Sequence, residues 1–113
     1  MRVIVFGATG SIGHLTVQEL LKEGHEVTAF ARNPQKLSFT NPKLSLIAGD
    51  ALDGKDVLAA VKDHDAVVIT LGSGMSRRSI IRSKGTKNVI RAMHAHSVRR
   101  LICQSTLGVG ESW

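Results

Sequence analysis

The sequence predicts one α/β domain, a doubly wound parallel sheet of about five strands in the order 3-2-1-4-5. Strand-like and helix-like segments alternate along the whole chain, which favours right-handed crossovers with helices on both faces of a sheet. Residues 66–71 are nearly all apolar, as in a strand buried on both faces. The length of 113 residues, with 42% hydrophobic residues, allows a single domain over 1–113 and no second one.

Apolar runs bounded by glycine, proline and polar residues define the elements. The predicted strands are Arg2–Phe6, Glu26–Ala31, Leu44–Ala48, Ala66–Leu71 and Arg100–Gln104. The predicted helices are Ser11–Glu23, Gly54–Asp63 and Ile80–His96, with a short helical turn over Gln35–Leu37. Gly24 is placed to end the first helix, and Asp53 is placed to cap the start of the next.

The first strand leads directly into three glycines with the spacing GxxGxxG. Gly7 allows a tight turn, Gly10 lets a pyrophosphate approach the backbone, and Gly13 lets the following helix pack close to the sheet. The N–H groups and positive dipole end of that helix then face the phosphates. This order of elements predicts a dinucleotide cradle. The alternative is a tight strand–helix turn that binds nothing.

Parallel strands present their carboxyl ends at one edge of a sheet, and ligands bind there where the strand order reverses. In the predicted order this point lies between the first and fourth strands. Five loops then surround one crevice: Gly7–Gly13, Arg32–Lys36, Gly49–Leu52, Leu71–Met75 and Ser105–Gly110.

The end of the second strand favours NADP over NAD. NAD-selective proteins usually have an acidic side chain here for the adenosine ribose, whereas this chain has Arg32, and Glu26 lies at the other end of the strand. A guanidinium suits a 2′-phosphate, and Lys36 is close enough in sequence to reach the same group. The alternative is a solvated basic strand end.

The loop after the third strand offers an adenine contact. The Asp50 carboxylate can accept from the adenine amino group while an apolar neighbour such as Ala51 covers the ring. Alternatively, Asp50 forms an Asx hydrogen bond with its own backbone.

The loop after the fourth strand begins with Leu71 and Gly72, which would let the ribose and nicotinamide pass close to the backbone. Arg77 and Arg78 could bind the pyrophosphate or an acidic substrate, or could belong to a solvated loop.

The fifth strand is followed by two hydroxyls, Ser105 and Thr106, which are the candidate catalytic residues. A hydroxyl here could bind a substrate carbonyl or a flavin beside the nicotinamide, or it could bond to its own loop. The sequence has no Gly-x-Ser-x-Gly elbow, so neither residue is predicted to be a triad serine.

The formal net charge of +6 can attract a polyanionic small molecule or nucleic acid. With aromatic residues at only 4%, few side chains could stack on bases, so nucleic acid is not expected as the main ligand.

No metal site is predicted, because His94 and His96 are two residues apart on a predicted helix and point to different faces.

The single cysteine, Cys103, excludes an internal disulfide and suits a reducing compartment; its apolar surroundings predict an inert buried thiol. No apolar run could span a membrane, and the chain begins with a strand, not a signal peptide. These observations predict a cytoplasmic protein.

The chain resembles the atypical branch of the short-chain dehydrogenase/reductase superfamily, especially the NAD(P)H-binding NmrA-like and biliverdin/flavin reductase types. The segments that carry the resemblance are Phe6–Gly13, Ala31–Leu37, Gly49–Leu52, Asp65–Ile69, Gly85–Ile90 and Gln104–Gly108. It implies a Rossmann-like fold and NADPH as cofactor. The implied pyrophosphate contacts are Gly7, Thr9, Gly10, Ser11 and Ile12. It further implies Arg32 at the 2′-phosphate, Asp50 and Ala51 near adenine, and Thr106 or Ser105 as the active-site hydroxyl.

Two departures from the superfamily bear on function. The superfamily's general acid is a tyrosine, and this chain contains none. Flavin reduction needs no such acid, so the first expectation is an NADPH-dependent oxidoreductase for a flavin (FMN or FAD as substrate), a quinone or a similar small acceptor. The alternative is a non-catalytic NADP-binding regulatory or sensor domain.

Relatives of this type are also longer than this chain. We therefore expect a truncated domain whose fifth strand is an exposed edge of the sheet, and a homodimer that covers this edge.

Overall fold

The computed structural model describes residues 1–37, 39–70 and 85–103, without the side chains of residues 11, 12, 86, 102 and 103. Its strands are β1 (Arg2–Phe6), β2 (Glu26–Ala31), β3 (Leu44–Ala48), β4 (Ala66–Ile69) and β5 (Arg100–Cys103). Its helices are α1 (Ser11–Lys22), α2 (Gly54–Val61) and α3 (Thr86–Ala95), with a 3-10 turn over Pro34–Lys36.

The five strands form one parallel sheet in the order β3-β2-β1-β4-β5, which confirms the predicted fold class and strand order. At the carboxyl end, Phe6 of β1 is in register with Phe30 of β2 and with Ile69 of β4. The order reverses at β1, because β2 lies on one side of it and β4 on the other. The loops after β1, β2, β3 and β4 therefore start from the same edge.

Alternate residues of the central strands face opposite sides of the sheet. In β1, Ile4 and Phe6 pack with α2 and α3, whereas Val3 and Val5 pack on the side of α1. The rings of Phe6 and Phe30 lie 4.7 Å apart between centroids. Because β1 is covered on both faces, its four residues from Val3 to Phe6 are at most 3% exposed. This explains why the sequence of the strand is a continuous apolar run.

Several predicted boundaries are corrected. The predicted end of the second helix at Asp63 is wrong: Lys62, with a ψ of 137°, and Asp63, with a φ of +66°, are not helical, so α2 ends at Val61. The first helix ends at Lys22, one residue earlier than predicted, with Glu23 as its C-cap. The predicted helix from Ile80 to His96 is present as α3 over Thr86–Ala95, and residues 80–84 lie outside the described residues.

The two outer strands differ from the three central ones. In β3 two residues are half-buried and three are exposed, among them Leu46 at 48%. β5 is the other edge of the described sheet, and its cover by a second copy stays a prediction. None of the described helices combines the length and apolarity needed to cross a membrane.

Candidate functional site

The glycine turn has the geometry that the sequence predicts. Gly7 has a φ of +79°, and its N–H donates to the Phe30 carbonyl oxygen over 3.2 Å. The N–H of Gly10 donates to the Gly7 carbonyl oxygen over 3.1 Å and closes the turn. A Cβ atom on Gly7 would lie 2.7 Å from the carbonyl oxygen of Thr70. Both the backbone conformation and the space therefore require glycine at position 7.

At Gly13, α1 packs closely against this turn. A Cβ atom on Gly13 would overlap the Gly7 carbonyl oxygen and lie 2.8 Å from Thr70 Oγ1. This confirms the predicted close packing of the helix. A Cβ atom on Gly10 would have a milder contact, 3.4 Å from the Gly7 carbonyl oxygen. Close approach of a pyrophosphate at Gly10 stays a prediction.

The first turn of α1 has neither a side-chain cap nor an acidic residue. Its N-cap, Gly10, is extended and supplies no side-chain hydrogen bond, and the first turn contains no acidic residue. The first N–H groups of a helix lack carbonyl partners within it, and the helix dipole makes this end positive. The ring Nδ1 of His14 lies 3.0 Å from the Gly10 carbonyl oxygen, beside this turn. The predicted phosphate contacts of Thr9, Ser11 and Ile12 remain predictions.

Arg32 is the first residue after β2 and Lys36 is the last residue of the 3-10 turn, and both are exposed. The segment between them is fixed, because Pro34 is buried and Leu37, just after it, packs in the core on the α1 side. The end of β2 adjoins the glycine turn, since the Phe30 carbonyl accepts from Gly7. The structure thus places the end of the β2 backbone next to the turn, and binding of a 2′-phosphate by Arg32 and Lys36 stays a prediction. The observed 3-10 turn starts and ends one residue before the predicted helical turn.

The loop after β3 is held by several hydrogen bonds. Asp50 Oδ1 accepts from the N–H of Leu52 at 2.9 Å, so the Asx turn that was the alternative interpretation is present. The N–H of Asp50 donates to Asp56 Oδ2 at 3.1 Å, and the side-chain amide of Asn88 donates to the Ala51 carbonyl at 2.9 Å. A carboxylate has two oxygens and several acceptor sites, so the Asx turn is compatible with the predicted adenine contact, which stays a prediction.

Sequence reasoning missed three side chains that hold these loops: Thr70, Asp56 and Asn88. Thr70 is a hydroxyl residue within a predicted apolar strand, and Asn88 lies on the stripe of α3 that contains buried Val89 and Ala92. A polar residue in a buried pattern needs a hydrogen-bond partner. That signal was present in the sequence, although the identity of each partner was not.

Several predicted site residues lie outside the described residues, namely Leu71, Gly72, Arg77, Arg78, Ser105 and Thr106. Their roles stay predictions. No group of three or more histidine, cysteine or acidic side chains in the described part of the chain is arranged to hold a metal.

The pKa of His64 is shifted, although this residue is remote from the loops. Burial is the largest cause and lowers the pKa below its ordinary value, with Arg2 adding to the decrease, whereas Asp63 and backbone hydrogen bonds oppose it. Thr28 Oγ1 and His64 Nε2 are 2.8 Å apart. His64 precedes β4, at the amino edge of the sheet, so it has no place in the candidate site.

Comparison with known proteins identifies a matching family and a shared fold. The family model described as NAD(P)H-binding matches residues 7–113. A 3-beta-hydroxysteroid dehydrogenase from Mycolicibacterium neoaurum is 35% identical over 113 residues, covering 89% of this chain and 31% of that protein. A 2-alkyl-3-oxoalkanoate reductase from Stenotrophomonas maltophilia is 34% identical over 119 residues, covering 96% of this chain and 34% of that protein.

A solved Rossmann-fold NAD(P)-binding family protein from Shigella flexneri is also similar, with a TM-score of 0.75 and 29% identity. The match covers 88% of this chain and 49% of that one. This chain spans about a third of the length of those two curated relatives. From the matched residues and the shared fold, the chain belongs to the NAD(P)H-binding family.

Proposed function

We propose that the chain is the cofactor domain of an NADPH-dependent reductase that passes hydride to a small planar acceptor. The observation that supports this most directly is the packing of Gly13 against the Gly7 carbonyl, which places the uncapped start of α1 at the glycine turn. Dehydrogenase and reductase relatives favour the same reaction class. The bound nicotinamide would supply the hydride. The residues of this chain would bind and orient it.

The choice of NADPH over NADH rests on Arg32 and Lys36. Both side chains are exposed, Arg32 just after β2 and Lys36 at the end of the 3-10 turn. The guanidinium can give two parallel hydrogen bonds to a phosphate and stays charged at any physiological pH. No carboxylate lies between Ala31 and Lys36 to accept from a ribose 2′-hydroxyl. The charges and the missing acceptor thus favour a phosphate at that position.

For the acceptor we propose a free flavin (FMN or FAD) or a quinone, on the resemblance to the flavin reductase type. Hydride can pass to a flavin ring without a protein acid, so correct positioning is sufficient. Ser105 or Thr106 is the proposed hydroxyl that orients the acceptor, and Asp50 with Ala51 is the proposed adenine contact.

The first experiment is calorimetric titration of the 113-residue chain with NADPH and NADH. We expect tighter binding of NADPH, and Arg32→Ala should weaken it by about tenfold, since charge-assisted hydrogen bonds are lost. Arg99→Ala is the matched control, because Arg99 is an exposed arginine at the amino edge of the sheet. Equal affinities for both cofactors, unchanged in Arg32→Ala, would refute the 2′-phosphate assignment.

Turnover is tested separately by following NADPH oxidation with FMN, FAD or a soluble quinone. Oxidation that depends on the acceptor would support the reductase. Tight NADPH binding without oxidation by any of them would favour the NADP-binding regulatory domain for these 113 residues.

A further inference from the structure

Thr70 lies where the two central strands and the glycine turn meet. It follows β4 directly and is only 6% exposed. Its N–H donates to the Phe6 carbonyl at 2.9 Å. Its hydroxyl lies 2.8 Å from the same oxygen and 3.0 Å from the Gly7 carbonyl oxygen, and it donates to either one. A single side chain thus connects the end of β4 to the first peptide of the glycine turn.

The Gly7 carbonyl has a second role, because it also accepts from the Gly10 N–H that closes the turn, at 3.1 Å. If this peptide rotated, the closing hydrogen bond would be lost and the N-cap of α1 would move. The Thr70 hydroxyl restrains that rotation. Thr70 Oγ1 also lies 2.8 Å from where a Cβ atom on Gly13 would be, so it borders the first turn of α1 as well.

We propose that Thr70 is a positioning residue that fixes the glycine turn, and with it the start of α1, in the geometry that binds the cofactor's pyrophosphate. The inference rests on the proposed nucleotide binding. It assigns to Thr70 no contact with the cofactor. Preorganised N–H donors bind an anion more tightly, because no conformational entropy is lost in ordering them when the anion binds. The benefit should therefore be specific to ligands that contain the pyrophosphate.

Two variants separate the hydroxyl from the rest of the side chain. Thr70→Val keeps the shape and removes the hydroxyl, whereas Thr70→Ser keeps the hydroxyl and removes the methyl group. In Thr70→Val the Phe6 carbonyl keeps the Thr70 backbone N–H as a donor, and the Gly7 carbonyl keeps Gly10. Neither acceptor is left without a partner, so we expect this variant to fold, which a thermal melt checks.

The binding experiment compares NADPH with 2′-AMP, which carries the adenine and the 2′-phosphate but no pyrophosphate. In Thr70→Val we expect NADPH affinity to fall about fivefold, as for loss of one hydrogen bond, with 2′-AMP affinity unchanged. Thr70→Ser should bind both ligands as the parent chain does. Unchanged NADPH affinity in Thr70→Val would overturn the proposal, as would an equal loss for both ligands or an equal defect in Thr70→Ser.

A second measurement needs no ligand. Amide hydrogen exchange at Gly10 and His14, whose N–H groups donate to Gly7 and Gly10, should be faster in Thr70→Val than in the parent chain or Thr70→Ser. Exchange within α2 serves as the control and should not change. Identical exchange at the turn in all three proteins would overturn the positioning role. A parent chain that binds neither NADPH nor NADH would instead refute the proposed function.

Discussion

Replacing Gly13 with alanine tests the packing that defines the cradle. In an ordinary helix interior this change is stabilising by about 1 kcal/mol, because alanine loses less conformational entropy. Here the new methyl group would overlap the Gly7 carbonyl oxygen and lie 2.8 Å from Thr70 Oγ1. Overpacking typically costs about 1–3 kcal/mol, and we expect the upper end because moving the Gly7 carbonyl would break its hydrogen bonds with the Gly10 N–H and the Thr70 hydroxyl. The net expectation is destabilisation by about 2 kcal/mol.

The assay is urea denaturation followed by far-ultraviolet circular dichroism. A loss of about 2 kcal/mol lowers the midpoint by about 1–2 M at the slopes usual for a small domain. Gly54→Ala is the matched control. It is also helical, but its nearest contact would be Asn88 Oδ1 at an ordinary 3.5 Å, so it should be neutral or slightly stabilising. A Gly13→Ala variant as stable as the parent chain would refute the packing argument.

Three further predictions concern the pKa of His64 and the hydrogen bonds made by Asp53 and Asn88. Because the pKa of His64 is lowered, the folded chain binds fewer protons than the unfolded chain just below pH 6.5. The contribution of His64 to the free energy of unfolding is therefore complete above pH 6.5 and is lost as the pH falls from there through the lowered pKa. Denaturation midpoints compared at about pH 7.5 and about pH 5 should show this loss, and His64→Gln should reduce it. Asp53→Ala removes the N-cap of α2, whose carboxylate accepts from Lys55 N–H at 3.0 Å, and should cost about 1 kcal/mol in urea denaturation. Asn88→Ala frees the Ala51 carbonyl and should cost about 1 kcal/mol. If the proposed adenine contact is correct, Asn88→Ala should also weaken NADPH binding in calorimetry, and unchanged affinity would count against a role of that loop in binding.

The strands were the part of the fold that the sequence predicted best. The boundaries of β1, β2 and β3 agree with the prediction at every residue, because each apolar run is ended by a glycine, a proline or a polar cluster. The end of α2 was missed by two residues. Asp63 has the left-handed backbone that returns the chain to β4, and that requirement comes from the position of the sheet rather than from local preference.

The glycine turn was predicted from the glycine spacing together with the strand before it and the helix after it, because that order of elements allows few other geometries. The identity of the side chains that hold the loops was decided by tertiary structure. Thr70 is 63 residues from Gly7 in the chain, and Asn88 is 37 residues from Ala51. No local pattern specifies such pairs, since they form only when β4 lies beside β1 and α3 packs on α2.

By itself the sequence predicted the α/β class and the strand order, because alternating strands and helices allow few arrangements of a parallel sheet. The edge at which a nucleotide binds stays a prediction. Tertiary structure decided contacts that the sequence left open. Asp50 forms its Asx turn, Gly13 has no room for a side chain, and the lowered pKa of His64 belongs to the opposite edge. These outcomes depend on distances between segments far apart in sequence, and such distances exist only once the sheet has assembled.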